Sequence, residues 1–266
     1  MQGLILAAGM GRRLGELTKN NPKCMVTVNG VTLIERMLRQ LEALHLSRVV
    51  IVVGYRGQQL IDYIATLGLS TPITYINNPI YDRTNNIYSL ALAKDHLLSE
   101  DTLLLESDVI FDDSVLHALA DDPRETLALV DKYECWMDGT CVTLAEDDSI
   151  SSFVPGKRLV FSDAEKYYKT VNIYKFSRHF SEAYYVPFLE AYSCALGNNE
   201  YYEQVLRVIT MLDEPEIRAK KLTGQLWYEI DDIQDLLALS AYAGFLLSGQ
   251  SLLSAQASDG RDEGQL

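Results

Sequence analysis

The sequence predicts an α/β fold in which helices flank a mostly parallel sheet. Strand and helix patterns alternate through the first half of the chain, as is typical of parallel strands joined by helical crossovers. Arg48–Val53 is a nearly continuous β-branched run, which favours a strand buried on both faces. In chain order, the predicted elements of this half are strand Gly3–Ala8, helix Thr32–Leu44, strand Arg48–Val53, helix Gln58–Leu67, strand Ile73–Ile76, helix Asn86–Leu98, strand Thr102–Leu105 and helix Asp113–Leu119.

The pattern changes after residue 120, where strands follow one another without intervening helices. We expect a small antiparallel excursion here, which covers a pocket and is followed by more helices. The predicted elements are strands Leu127–Val130, Thr140–Leu144, Ser151–Val154 and Tyr168–Tyr174, helices Arg178–Leu196 and Tyr201–Met211, strand Ile217–Leu222 and helix Asp232–Leu247. Residues 248–266 are polar, so we expect one domain over residues 1–247 and a disordered tail or truncated linker after it.

Composition and charge narrow the class of protein. With 266 residues, of which 48% are hydrophobic, the chain has enough apolar material for a full globular core. The formal net charge of −14 argues against nucleic acid and against an anionic membrane as partners. The first apolar run breaks at Gly9, and the stretch Leu236–Leu247 is too short to span a bilayer. The four cysteines lack metal-binding spacing, so we expect reduced thiols in a cytoplasmic protein.

The turn after the first predicted strand combines small residues with positive charge. Backbone N–H groups can approach an anion closely where side chains are small. The segment that follows is basic, with Arg12, Arg13, Lys19 and Lys23. A turn that served only packing would leave this basic segment unexplained. We therefore predict a triphosphate site whose contacts include Leu6, Ala7, Ala8, Gly9, Met10 and Gly11.

A carboxylate follows the fourth predicted strand. Residues 103–105 lead into Glu106-Ser107-Asp108, so Asp108 should lie at the carboxyl edge of the sheet, where open α/β sheets bind ligands. A hard carboxylate there suits Mg²⁺, which binds carboxylates together with phosphate oxygens and water. The alternative is a helix cap, although Asp112 and Asp113 are better placed to cap the next helix.

Residues 6–14, Leu-Ala-Ala-Gly-x-Gly-x-Arg-Leu, followed by Pro22-Lys23, resemble the signature of the sugar-phosphate nucleotidyltransferase superfamily. Its members join a nucleoside triphosphate to a phosphorylated small molecule on a Rossmann-like sheet. The resemblance implies that Arg13 and Lys23 stabilise the triphosphate. It also implies that Asp108 and the late carboxylate Asp231 hold Mg²⁺. Helix capping is the alternative in this late segment, and it fits Asp232 better than Asp231.

Residues 86–90, Asn-Ile-Tyr-Ser-Leu, resemble a segment of cytidylyltransferases that act on choline-type alcohol phosphates. The resemblance implies that the nucleotide is CTP, framed by Asn86 and Ser89 with Glu106 nearby. Helix capping explains one residue of the Asn85-Asn86 pair, but not both together with Ser89. In such a reaction an acceptor oxyanion attacks the α-phosphorus of CTP in line, and pyrophosphate leaves.

The second half carries candidate residues for the acceptor. Trp136 lies in a turn-prone loop beside acidic residues, and an indole face with carboxylates suits an ammonium group. Packing in the core is the alternative for such an aromatic residue. Lys169 is a candidate contact for the acceptor's phosphorus group, with a solvent-facing strand lysine as the alternative. The full candidate set is Trp136, Asp138, Lys169, Tyr174, Glu200, Tyr201 and Glu229.

Five segments resemble the phosphonate cytidylyltransferases, which activate 2-aminoethylphosphonate and are often fused to an aminotransferase. These segments are residues 77–90, 136–140, 168–176, 197–208 and 227–235. The resemblance implies CMP transfer to this zwitterion and a further domain beyond the tail. A primary ammonium donates hydrogen bonds, so Asp138 and Glu200 favour 2-aminoethylphosphonate. Phosphocholine, a sugar 1-phosphate and a non-catalytic nucleotide-sensing domain are the alternatives.

Overall fold

The structure is a computed structural model that describes residues 1–214 and 217–240. Its strands are β1 (Gln2–Ala7), β2 (Thr27–Val28), β3 (Val31–Thr32), β4 (Val49–Val53), β5 (Ile73–Asn77), β6 (Thr102–Glu106), β7 (Val109–Phe111), β8 (Leu127–Lys132), β9 (Cys141–Leu144), β10 (Ile150–Val154), β11 (Tyr167–Phe176), β12 (Arg218–Lys221) and β13 (Trp227–Glu229). Its α-helices are α1 (Leu33–Ala43), α2 (Gly57–Ala65), α3 (Asn86–Leu92), α4 (Lys94–Leu97), α5 (Asp113–Ala120), α6 (Arg178–Phe180), α7 (Val186–Leu196), α8 (Glu203–Ile209) and α9 (Ile233–Ser240). The short strands β2, β3, β7 and β13 were not predicted from the sequence.

Four parallel strands, in the order β5-β4-β1-β6, form the first half of the main sheet. Ile5 of β1 lies opposite Ile51 of β4 on one side and opposite Leu105 of β6 on the other. The chain moves outward from β1 to β5 and then returns to the opposite side of β1 at β6. Such a reversal opens a crevice at the carboxyl ends of the two flanking strands, here β1 and β6.

The second half of the sheet is organised around β11, which is ten residues long and antiparallel to its neighbours. One edge of β11 pairs with β6 at residues 173–176 and with β9 at residues 167–169, while the other edge pairs with β8. Asn172 lies between these pairing regions in a left-handed conformation, with φ of 60°. The register against β8 shifts at the same point, so β11 carries a bulge there. Beyond it, β9 and β10 form the predicted antiparallel excursion.

Helices cover both faces of the sheet. On β1, Leu4 and Leu6 contribute to one apolar core, and Ile5 and Ala7 contribute to the other. The first core also contains residues of α3, α7 and α8, and the second contains residues of α1, α2 and α5. Complete burial of a side chain such as Ile5 stabilises the fold by about 1.5–3 kcal/mol. The predicted α/β architecture with a mostly parallel sheet is confirmed.

Two predicted helices are interrupted in the structure, and the end of a third lies outside the described residues. The helix predicted over residues 86–98 is divided at Ala93 into α3 and α4. The helix predicted over residues 178–196 contains a π-helical turn, Ser181–Tyr185, between α6 and α7. Pro187 accounts for this turn, because proline has no N–H to donate and its ring excludes the usual position of the carbonyl four residues earlier. Beyond α9, the end of the helix predicted over residues 232–247 and the tail at 248–266 lie outside the described residues.

Two expectations from composition concern helices and thiols. Across residues 1–214 and 217–240, no helix is both long enough and apolar enough to cross a membrane. The four cysteines, Cys24, Cys135, Cys141 and Cys194, are free. Burial raises the pKa of the Cys24 thiol to about 12, so this residue is a packed apolar group rather than a nucleophile.

Candidate active site

A cleft of about 890 Å³ opens at the carboxyl ends of β1 and β6. Its walls are the loop after β1, the start of α3, the end of β6, the first turns of α8, and two outer turns at residues 138–140 and 155–158. Six cationic residues line it, namely Arg12, Arg13, Lys23, Lys157, Arg158 and Arg207. Eight acidic residues of the described chain line the cleft as well, so it offers cations for phosphate groups beside carboxylates for a cation.

The loop after β1 brings Gly11 against the side chain of Lys23. Gly11 has φ of +61°, and a Cβ atom there would lie 2.8 Å from Lys23 Cβ. Thr18 Oγ1 donates a hydrogen bond to the Gly11 carbonyl at 2.8 Å and so fixes the turn. A larger residue at position 11 would therefore displace Lys23. The predicted nucleotide contacts Leu6, Ala7, Ala8, Gly9, Met10 and Gly11 all line the cleft.

Beside this loop, Lys23, Arg13, Asp108 and Asp231 meet in one ionic cluster. Lys23 Nζ donates to Asp108 Oδ2 at 2.5 Å and to Asp231 Oδ1 at 2.8 Å. Arg13 Nη2 lies 2.6 Å from the same Asp231 oxygen. Two cations and two carboxylates from separate segments of the chain are thus gathered at the edge of the sheet, with Lys23 bridging the carboxylates.

Backbone pairing places Asp231 next to Asp108. Strand β13 pairs with β7, and the N–H of Ile230 then donates to the Asp108 carbonyl at 2.9 Å. The N–H of Asp231 donates to Asp235 Oδ2 at 2.8 Å, while Asp232 Oδ1 accepts from the N–H of Asp235 at 3.1 Å. This reciprocal capping uses Asp232 and Asp235 at the start of α9, so the Asp231 side chain is left for the cleft.

The cluster fixes the charge of its members. Burial acts to lower the pKa of Lys23, but the carboxylates of Asp108 and Asp231 outweigh it and raise that pKa above its usual value. Burial likewise acts to raise the pKa of Asp231, but Lys23 and Arg13 outweigh it and lower that pKa. Lys23 and Asp231 are therefore both ionised at neutral pH. They act as permanent charges rather than as a proton-transfer pair.

The same carboxylates provide a donor set for a divalent cation. Oxygens of Asp108, Glu229 and Asp231 lie within 4.8 Å of one another. Asp108 Oδ1 is buried and has no hydrogen-bond partner within the described residues, so it is open to a further ligand. Carboxylate oxygens are the protein ligands that Mg²⁺ prefers. The residues present therefore fit a divalent cation at Asp108 and Asp231.

Asn86 and Ser89 line the cleft from α3. Asn86 Nδ2 donates to Glu106 Oε1 at 3.0 Å, and Asn86 Oδ1 accepts from the N–H of Tyr202 at 3.0 Å. Its neighbour Asn85 caps α3 instead, because the Asn85 side chain accepts from the N–H of Asn86. The two asparagines thus have different roles, and Asn86 joins the end of β6 to the start of α8.

Four of the predicted acceptor residues line the cleft, namely Asp138, Glu200, Tyr201 and Glu229. Trp136 and Tyr174 do not, and their positions correct the sequence analysis. Trp136 is 59% exposed and stacks on Tyr228 with ring centroids 5.4 Å apart, outside the cleft wall. Tyr174 is fully enclosed in the core, where it makes an edge contact with Tyr202.

Lys169 also lies outside the cleft wall, although it was predicted to contact the acceptor. It is 1% exposed, so it is neither a solvent-facing lysine nor one that reaches into the cleft. Its Nζ donates to the Thr170 carbonyl at 2.7 Å and to Glu229 Oε2 at 3.2 Å, and Asn172 Nδ2 donates to Glu229 Oε1 at 3.0 Å. Lys169 and the bulge residue Asn172 therefore hold the cleft residue Glu229 in place.

The two outer turns contribute residues that the sequence analysis missed. Lys157 and Arg158 follow Pro155 in a 3-10 turn and line the cleft. A Cβ atom on Gly156 would lie 2.8 Å from the Gly139 carbonyl oxygen, so glycine at position 156 lets the two turns pack closely. A basic pair within a Pro-Gly turn of an acidic chain is the signal that could have identified these residues.

Other cleft residues lie in segments that the sequence analysis noted, but they were not named there as site residues. Asn78 lines the cleft, and its Nδ2 donates to Ser89 Oγ at 3.1 Å. Glu203 and Arg207 line it from successive turns of α8. An acid in the first turn of a helix is common for local electrostatic reasons, so Glu203 did not stand out in the sequence.

A family model described as the MobA-like NTP transferase domain matches residues 3–142, which is more than half of the chain. The chain belongs to this family. It is therefore a nucleotidyltransferase, as the motif at residues 6–14 indicated, and the matched region contains the loop after β1 together with Asp108.

Relatives of this nucleotidyltransferase agree with the resemblance found in the sequence. The chain is 29% identical over 236 residues to the CMP-5'-(3-aminopropyl)phosphonate synthase of Streptomyces rubellomurinus. The alignment covers 88% of this chain but only 37% of that longer relative. It is 34% identical over 111 residues to the 2-aminoethylphosphonate cytidylyltransferase of Lancefieldella rimae, covering 41% of this chain and 44% of that relative. In fold it is similar to the CTP:phosphocholine cytidylyltransferase of Streptococcus pneumoniae, with a TM-score of 0.72, 23% identity and coverage of 90% and 97%.

Proposed function

We propose that this nucleotidyltransferase transfers CMP from CTP to a small aminoalkyl phosphonate, 2-aminoethylphosphonate, and releases pyrophosphate. The observation that carries the proposal is the ionic cluster of Lys23, Arg13, Asp108 and Asp231 at the carboxyl ends of β1 and β6. Relatives named as a 2-aminoethylphosphonate cytidylyltransferase and an aminopropylphosphonate synthase support the choice of nucleotide and acceptor.

In this proposal the small-residue loop binds the triphosphate of CTP. Backbone N–H groups of residues 7–11 approach the phosphates, and Arg13 and Lys23 neutralise their charge. Asp108 and Asp231 hold Mg²⁺, which when bound supplies further charge neutralisation at the phosphate oxygens. Asn86, Ser89 and Glu106 frame the nucleotide from the opposite wall.

The reaction itself needs no nucleophile from the protein. A phosphonate oxygen of the acceptor attacks the α-phosphorus of CTP, the new O–P bond forms, and the bond to the β-phosphate oxygen breaks. Both reactants are anions, so the protein must bring negative charges together and hold them in line. The cations that line the cleft, including Lys157 and Arg158 on the outer turn, are suited to that requirement.

The acidic residues of the cleft support an acceptor that carries an ammonium group. Asp138, Glu200 and Glu229 line the cleft along with the cations, so both ends of a zwitterion find opposite charge. Tyr201 adds an aromatic face that is half exposed.

A panel of substrates tests this function. Purified protein with Mg²⁺ receives CTP, UTP or dTTP and one acceptor at a time, and pyrophosphate release is followed for 2-aminoethylphosphonate, phosphocholine and glucose 1-phosphate. We expect the highest kcat/KM with 2-aminoethylphosphonate. A higher value with phosphocholine would reassign the acceptor, and a preference for UTP or dTTP would reject the cytidylyltransferase assignment. No release with any pair would favour a nucleotide-sensing domain.

A further inference from the structure

Glu203 is a buried carboxylate that lines the cleft without an ion-pair partner among the described residues. Only 5% of the residue is exposed. Its Oε2 atom is enclosed and receives no hydrogen bond within the described part of the chain. A buried acidic group without a partner is strongly unfavourable, so this position calls for a ligand that supplies positive charge or hydrogen bonds.

The other buried acids around the cleft have partners. Glu106 accepts a hydrogen bond from Asn86 at 3.0 Å, and Glu229 forms an ion pair with Lys169 at 3.2 Å. Glu203 differs from both because its enclosed oxygen faces no such donor. Among these three acids, Glu203 is the one whose enclosed oxygen receives no hydrogen bond within the described residues.

We propose that Glu203 binds the ammonium group of the acceptor and selects acceptors whose nitrogen carries hydrogen. The inference rests on the proposed function, since it assigns the acceptor end of the same cleft. It adds a specificity-determining residue that the motifs did not indicate.

The surroundings of Glu203 favour this selectivity. The hydroxyl-bearing rings of Tyr185 and Tyr202 are fully buried beside it, so the carboxylate lies in a medium of low polarity. Attraction between opposite charges is stronger there than in water, and an unmade hydrogen bond is more unfavourable. A primary ammonium supplies both charge and N–H donors. A trimethylammonium supplies charge alone, and an alkyl phosphonate without nitrogen supplies neither.

The titration of Glu203 is consistent with this role. Burial raises the pKa of Glu203 to about 7, with an opposing effect of its own backbone amide. Glu203 interacts electrostatically with several charged and titratable groups, namely Lys169 and Tyr174 of β11, Glu229 of β13, Glu106 of β6, Tyr185 and Tyr202. The ionised form, which binds a cation, predominates above this pKa. Acceptor binding through Glu203 should therefore strengthen as the pH rises from about 6 to about 8.

The test compares Glu203→Gln with wild type on acceptors that differ only in nitrogen. Pyrophosphate release is measured with CTP and 2-aminoethylphosphonate, and ethylphosphonate is measured as a competing ligand through its inhibition constant. We expect kcat/KM for 2-aminoethylphosphonate to fall by about 100-fold in the variant. The inhibition constant of ethylphosphonate and the KM for CTP should change by less than about 3-fold. Glu146→Gln, a change of the same type at an exposed residue that is not part of the cleft lining, is the matched control.

Each outcome decides between explanations. Equal weakening of both phosphonates by Glu203→Gln would mean a general structural effect and would overturn the inference. The inference would also be overturned if the acceptor KM depended on pH in the same way in wild type and in Glu203→Gln. Thermal unfolding of the variants identifies a folding defect, in which case Glu203→Asp, which keeps the charge, must restore part of the preference for the amine. If the wild-type protein releases no pyrophosphate with CTP and 2-aminoethylphosphonate, the proposed function fails instead.

Discussion

The two sides of the cleft, which we propose bind the triphosphate and the acceptor and name the triphosphate side and the acceptor side, are built in different ways. On the triphosphate side, one continuous segment supplies the small-residue loop, Arg13 and Lys23, and a second strand end supplies Asp108. On the acceptor side, the walls come from two outer turns, α8 and β13, which are far apart in sequence. The first side is therefore a local property of the chain, and the second is a product of tertiary packing.

This difference predicts how strongly the loss of a charged side chain should affect each side of the cleft. Charges on the triphosphate side contact one another directly, so removal of one leaves its partners unmatched. Charges on the outer turns are exposed and make no such contacts with one another in the described residues, so removal of one should be milder. Four substitutions, ordered from the largest expected effect to the smallest, test this contrast.

Lys23→Met should have the largest effect on turnover. It removes the cation that bridges Asp108 and Asp231 and that is proposed to meet the triphosphate. Loss of one preorganised electrostatic group lowers kcat by about 10²–10³-fold in comparable sites. The measurement is pyrophosphate release at saturating CTP and acceptor. Lys19→Met, in the same loop but exposed and paired only with Glu16, serves as the control. A kcat within about 3-fold of wild type in Lys23→Met would contradict the contrast.

Lys169→Met should reduce stability more than any other change on the acceptor side. The substitution leaves Glu229 as a partly buried carboxylate without its cation, and breaking a buried pair destabilises by about 3–5 kcal/mol. Urea unfolding of the variant gives the free energy of unfolding. The double variant Lys169→Met/Glu229→Gln should recover part of the loss, because no charge is then left unpaired. If Lys169→Met raised the acceptor KM without loss of stability, a direct contact with acceptor would be indicated instead.

Lys157→Ala and Arg158→Ala together should weaken acceptor binding moderately. Both cations are exposed on the outer turn, where water screens their charge. We expect the acceptor KM to rise by about 10-fold, with kcat reduced by less than about 3-fold. The effect should shrink at high salt. Lys166→Ala, exposed and outside the cleft, controls for the loss of surface charge. An equal rise in KM for CTP would assign the pair to the nucleotide.

Trp136→Ala should have the smallest effect on kcat/KM, below about 3-fold. The indole stacks on Tyr228 outside the cleft wall, so its loss removes packing rather than a ligand contact. Steady-state kinetics with 2-aminoethylphosphonate and with phosphocholine provide the measurement. A large, selective loss with phosphocholine would restore the cation–π role that the sequence suggested.

The sequence predicted well what depends on local pattern. The alternation of strands and helices gave the sheet, and the segment from Leu6 to Lys23 identified the residues that meet Asp108 and Asp231. The sequence predicted poorly which side chains are buried in the core and which line the cleft. Lys169 and Tyr174 lie on β11, and both faces of this strand are buried. No alternation of polar and apolar residues therefore distinguishes its cleft-facing positions from its core positions.

Glu203 illustrates the same limit from the other direction. Its helical position is ordinary, and only the packing of α8 against β10 and α7 shows that its carboxylate is enclosed without a hydrogen bond to Oε2 from the described residues. Glu106 on β6, which interacts electrostatically with Glu203, lies about 100 residues earlier in the chain. A pattern read over a short window contains no such information.

Strand β11 has a consequence for the range of substrates. Strand β11 pairs with β6 at one end and with β9 of the outermost hairpin at the other. Under the proposed function, its length sets the spacing between Asp108, which follows β6, and the outer turns that border the acceptor. Homologous chains that handle longer or shorter carbon linkers would then be expected to differ in loop length around residues 138–140 and 155–158, while the spacing along this strand stays the same.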